Sequence, residues 1–136
     1  MSEIYIKNLN DNNPQFQRFV KIYSGIGGLK IRAYGANEAI PISGLKVIVS
    51  TIYENDKFIF YDGYTDSSGM INKIELPAPI SDPDDLVIPS SITYSIDVIY
   101  EPDNSERIFN INLYNGVCVL QNIGIIPEVK ENENGS

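Results

Sequence analysis

The residues that could do chemistry are few, and their types limit the chemistry sharply. The chain has no histidine. Ser-His and Cys-His nucleophilic pairs, imidazole acid–base work and most zinc sites are therefore ruled out. A single cysteine, Cys118, allows neither an intramolecular disulfide nor a thiolate cluster. Its setting, Val117-Cys118-Val119-Leu120, predicts a buried, inert thiol acting as a small hydrophobe. Carboxylates remain. Asp82, Asp84 and Asp85 stand close enough in sequence to offer hard oxygen ligands to Ca²⁺. They lack the glycine and terminal bidentate glutamate of an EF-hand, so a solvated acidic loop is the stronger reading and no metal is expected. Asp62 and Asp66 flank Gly63-Tyr64-Thr65, where turn formation is the ordinary task of aspartate. No cofactor motif is present: Gly25-Ile26-Gly27-Gly28 has neither the dinucleotide-binding order nor the Gly-Lys-Ser/Thr of a P-loop, and reads as a hinge or turn. Tyr53, Phe60, Tyr61 and Tyr64 gather around one stretch and are the binding-surface candidates, because tyrosine supplies stiff amphipathic contact area. The competing reading puts half of them in the core and half over it.

The elements that must position these residues follow from periodicity. After Gly28 the apolar residues alternate, with Leu29, Ile31 and Ala33 on one face and Lys30, Arg32 and Tyr34 on the other. Residues 45–53 and 57–61 read as a core strand and its returning partner, joined by a turn at Asn55-Asp56. Thr65-Asp66-Ser67-Ser68-Gly69 is a tight turn into a strand over 70–76. Pro77, Pro79, Pro83 and Pro89 punctuate a long loop. Strands follow over 92–100, 107–113 and 117–126, with Ile92, Tyr94, Ile96 and Val98 sharing one face and Asn115-Gly116 as a hairpin-type turn. The expected fold is an all-β, seven-stranded sandwich over residues 28–127. A lead-in over residues 1–27 precedes it, with Phe16, Phe19, Val20 and Ile22 able to line one or two helical turns. Residues 128–136 form a polar, acidic tail expected to be disordered.

Several of these stretches resemble a known family. Gly28-Leu29-Lys30-Ile31, Ala39-Ile40-Pro41-Ile42-Ser43-Gly44-Leu45-Lys46-Val47 and Thr65-Asp66-Ser67-Ser68-Gly69 resemble carboxypeptidase regulatory-like domains, which implies a transthyretin-like (prealbumin-like), Ig-like sandwich. Ile74-Glu75-Leu76-Pro77-Ala78-Pro79, Tyr94-Ser95-Ile96-Asp97-Val98 and Gln121-Asn122-Ile123-Gly124-Ile125-Ile126-Pro127 are similar to the non-catalytic N-terminal part of clostridial spore cortex-lytic enzymes. That similarity implies a spore-forming, Firmicutes setting and carries over no hydrolytic activity.

Charge narrows the partners. A net charge of −8 argues against nucleic acid and against anionic membrane surfaces. The start, Met1-Ser2-Glu3-Ile4, lacks the basic and apolar regions of a secretory signal, and no apolar run is long enough to span a bilayer. The expectation is synthesis in the cytoplasm and a non-enzymatic structural or protein-interaction role through a protein partner or self-association. The alternative is a carbohydrate- or peptidoglycan-binding accessory module.

Overall fold

The computed structural model describes residues 3–6, 13–35, 40–80, 90–102 and 104–125. Among the described residues nine strands and one helix follow in the order β1 (Glu3–Tyr5), α1 (Pro14–Ile22), β2 (Gly25–Gly35), β3 (Ile40–Pro41), β4 (Lys46–Tyr53), β5 (Asp56–Tyr64), β6 (Met70–Ala78), β7 (Ile92–Tyr100), β8 (Ser105–Leu113) and β9 (Cys118–Gly124). They form two sheets. The first has the order β1-β5-β4-β7-β8; in the second β2 pairs with β3, β6 and β9. The fold is an all-β sandwich. Its seven long strands are those expected from the alternation, and β1 and β3 are short additions.

The inner faces are built by the period of two. Leu29, Ile31 and Ala33 from β2 meet Val47 and Val49 from β4 and Tyr94, Ile96 and Val98 from β7, all buried. Tyr94 is the largest of these, and its hydroxyl donates to the Pro77 carbonyl oxygen at 2.7 Å. Burial drives its phenol far above the ordinary tyrosine value of 10.0. The unfolded chain loses that proton near pH 10 while the folded chain keeps it. Its contribution to stability is thus intact below pH 10 and lost as pH rises above it. Tyr94→Phe is expected to cost about 1–2 kcal/mol at neutral pH, from the unpaired carbonyl. It should also flatten part of the alkaline loss of stability, which urea titrations at neutral and alkaline pH would read.

Helix α1 starts where its sequence provides a cap. The Asn13 side chain accepts from the Gln15 and Phe16 amides, and Pro14 occupies the first turn. The apolar stripe then lies on the β4–β5 hairpin. Phe19 is fully buried, and the Phe16 and Phe58 rings flank it. Outside that contact Arg18 pairs with Glu54 at 2.6 Å, and Gln15 Nε2 donates to the Tyr53 carbonyl. The hairpin turn is Glu54-Asn55, both at positive φ, one residue before the expected Asn55-Asp56.

Four expectations are corrected. Gly25-Ile26-Gly27-Gly28 is no hinge: it is the start of β2, in register with β6 from Gly25↔Ala78 to Gly28↔Glu75. Glycine suits this strand because neighbours crowd it; a Cβ on Gly27 would lie 3.0 Å from the Tyr114 carbonyl oxygen. Pro77 sits inside β6 rather than in a loop, which an edge strand tolerates. Asn115-Gly116 joins no hairpin. It carries the chain from β8 to the other sheet, where β9 runs parallel to β2. Asn115 Oδ1 accepts from the Ile26 amide at 3.0 Å and anchors that crossing. The fourth is Cys118, which is exposed. In β9 the inward positions are Val119, Gln121 and Ile123, so alternation turns Cys118 and Leu120 outward.

Candidate functional site

The carboxylate candidates separate first. Asp82, Asp84 and Asp85 lie outside the described residues. Among the described residues no group of three or more His, Cys, Asp or Glu side chains could hold a metal ion. Asp66 is occupied by its own turn, accepting from the Ser68 amide at 2.8 Å and the Met70 amide at 2.9 Å. Its neighbour Thr65 is buried and donates to the Ile42 carbonyl at 2.6 Å while accepting from the Leu45 amide at 3.0 Å. The Thr-Asp-x-x-Gly stretch therefore knits two turns together. Asp62 points the other way, away from the core, opposite Ile48.

The aromatic candidates also divide. Tyr53 and Phe60 turn inward and meet Phe19, with ring centroids 5.2 and 5.7 Å away. Burial, then the Glu54 carboxylate, raises the Tyr53 phenol above its ordinary value. Tyr61 leans on the core as well, because a bulge leaves Phe60 without a partner between Val49↔Tyr61 and Ser50↔Ile59. Burial raises its phenol too, with Tyr5 and Asp62 nearby. Tyr64 alone of the four is open, at 51% exposure. The structure thus does not bring the four together on one surface.

Two broader surfaces are better candidates, and both are outer sheet faces. On the five-stranded sheet, the outward positions of β1, β5, β4, β7 and β8 include Glu3, Asp62, Asp97 and Glu106 beside Lys46 and Lys57. Lys57 reaches Glu3 at 3.6 Å and Asp97 at 3.8 Å, passing over β4 where the small, buried Ser50 leaves room. Thr93 and Ser95 hydrogen-bond to Asn112 and Asn110 on the same face.

On the other sheet, register sets Lys73 near Lys30, and Met70 beside Arg32, with Asn122 and Leu120 on the far side of β2. Arg32 lies over the Tyr34 ring at 4.9 Å. Toward the β2 start, Ile26, Gly28, Val117 and Cys118 with Lys73 and Glu75 line a shallow depression of about 270 Å³. The alternation alone turns Lys30 and Arg32 outward. What places them beside Lys73 and Leu120 is the pairing of β2 with β6 and β9, which no local pattern announces.

No family model matches the sequence, and no curated protein matches it. Among solved structures, transthyretin from Sparus aurata is similar at 12% identity and TM-score 0.44, over 71% of this chain and 90% of that one. Catechol 1,2-dioxygenase from Pseudomonas arvilla C-1 is similar at 12% identity and TM-score 0.38, over 82% of this chain. The Acinetobacter radioresistens catechol 1,2-dioxygenase is similar at 10% identity and TM-score 0.41, over 100% of this chain. The chain spans 40% and 63% of those two enzymes. The sandwich description rests on the strand pairings themselves, and nothing about activity follows from these likenesses.

Proposed function

We propose that this chain is a non-catalytic β-sandwich module that works by binding other proteins through its outer sheet faces. One observation carries the reading. Of the described groups that the sequence offered for chemistry, Asp66 is taken up by its own turn and Tyr53, Phe60 and Tyr61 pack against the core, while Asp62, Tyr64 and Cys118 face outward. What the strands present outward is two faces mixing charged and apolar side chains, a composition suited to recognition. A spore-forming bacterial setting belongs to the same proposal and rests on the cortex-lytic resemblance alone.

A second reading, a glycan-binding accessory module, is favoured by the open Tyr64 ring beside Lys46 at the edge of one face. Co-sedimentation with purified cortex peptidoglycan separates the two. The protein-binding reading expects the chain to stay in the supernatant at low and high salt alike. Saturable, salt-resistant pelleting that drops several-fold in Tyr64→Ala would replace it with the glycan reading.

A further inference from the structure

We propose that copies of this chain stack head to tail, the outer face of one sheet on the outer face of the other. The inference deepens the protein-binding reading and rests on it. The protein carries a net charge of −8, yet its two faces differ in sign. On the β2–β6–β9 face the outward strand positions hold Lys30, Arg32 and Lys73 against the single carboxylate of Glu75. The opposite face holds Glu3, Asp62, Asp97 and Glu106 against Lys46 and Lys57. Among the described strand residues, three cations with one anion therefore stand against four anions with two cations, on surfaces at opposite sides of the same sandwich.

Apolar side chains accompany the charges on both. Ile26 and Leu120 stand out from the basic face, Ile52 and Ile108 from the acidic one, each more than half exposed. Sheets packed face to face sit about 10 Å apart. That spacing is close to the Debye length of about 10 Å at 0.1 M salt, so charges meeting across it are only partly screened. The contact joins two different surfaces, so it does not satisfy itself in a dimer. Each added copy presents a fresh face, and the product is an open stack. Charge complementarity of this kind sets register and steers encounter more than it supplies affinity, and weak, concentration-dependent assembly follows.

The test is sedimentation velocity of the full chain across a wide concentration range, at about 20 mM and about 500 mM salt. Wild type should show a sedimentation coefficient that rises with concentration at low salt and stays at the monomer value at high salt. Lys30→Glu with Lys73→Glu reverses the basic face, and Asp62→Lys with Glu106→Lys reverses the acidic one. Each double variant alone should stay monomeric, since its two faces now share a sign. Mixed one to one, they should regain the concentration dependence of wild type, because every junction pairs opposite faces again.

A wild-type chain that stays monomeric throughout would overturn the stacking proposal. So would association that survives reversal of either face, the mark of a contact using the other face alone. Loss of association in both variants without recovery on mixing would overturn it as well. None of these outcomes touches the protein-binding reading, which stands or falls on the peptidoglycan experiment.

Discussion

Phe19→Ala should lower the stability of the folded chain by about 3–5 kcal/mol, the range for deleting a fully buried aromatic side chain. Phe19 has no exposure, and its ring meets Tyr23 at 4.8 Å, Tyr53 at 5.2 Å, Phe58 at 5.6 Å and Phe60 at 5.7 Å between centroids. No other side chain of α1 is fully buried. A nine-residue helix does not persist on its own, so α1 depends on that contact for its existence. The exposed Arg18–Glu54 pair cannot replace it, because such pairs contribute little in water. A stability near 0.05–0.15 kcal/mol per residue makes the loss a large share of the total. Urea denaturation reads it as a fall in the midpoint. If α1 comes away while the sandwich stays folded, the m-value falls too, since less surface remains to be exposed. A loss below about 1 kcal/mol would mean that the helix is a passive lead-in and that the sandwich closes without it.

That result bears on what the sequence could disclose. The seven long strands were legible because each buries one face and exposes the other, and Leu29, Ile31 and Ala33 or Ile92, Tyr94, Ile96 and Val98 spell that out locally. The helix was legible for the same reason at its own period, through Phe16, Phe19 and Val20. Misreadings fell where partners distant in sequence decide. Gly25 to Gly28 looks like a flexible break until the Tyr114 carbonyl, just past β8, and Cys118 of β9 are seen pressing on it. Cys118 sits in an apolar run, yet β9 has one face on the core and one on solvent, so only its register with β2 tells which way the thiol points. The same holds for the site. Four aromatic residues close in sequence suggested one surface, whereas a bulge at Phe60 and the docking of Phe19 drew three of them toward the core. The charged faces were hidden differently: Lys30 and Lys73 are 43 residues apart and meet only because β2 and β6 pair.

Gly69→Ala should be the other severe change, and the comparison that isolates its cause is Gly44→Ala. Both glycines hold positive φ, +74° and +75°, where an alanine costs about 1 kcal/mol in backbone conformation alone. Among the described residues nothing lies within 4 Å of where a Cβ on Gly44 would stand, so that conformational cost should be the whole effect. At Gly69 the added carbon would overlap the Ala33 carbonyl oxygen and come within 3.1 Å of the Ile42 amide and the Pro41 side chain. None of these can step aside cheaply. The Ala33 amide donates to the Gly69 carbonyl at 2.7 Å and its carbonyl accepts from Ile42 at 3.1 Å, so the crowded oxygen belongs to the joint itself. Forcing atoms into a packed site adds about 1–3 kcal/mol, for a combined loss of about 2–4 kcal/mol. Moving the turn would disturb the Asp66 bonds to Ser68 and Met70 and so the start of β6. Paired urea titrations give the difference directly. A gap of about 1–3 kcal/mol between the two variants assigns the excess to the close approach of β2 and the turn. Equal losses would leave only the dihedral angle at work, and the tie between Ala33 and Gly69 would then be one that the sandwich can lengthen without cost.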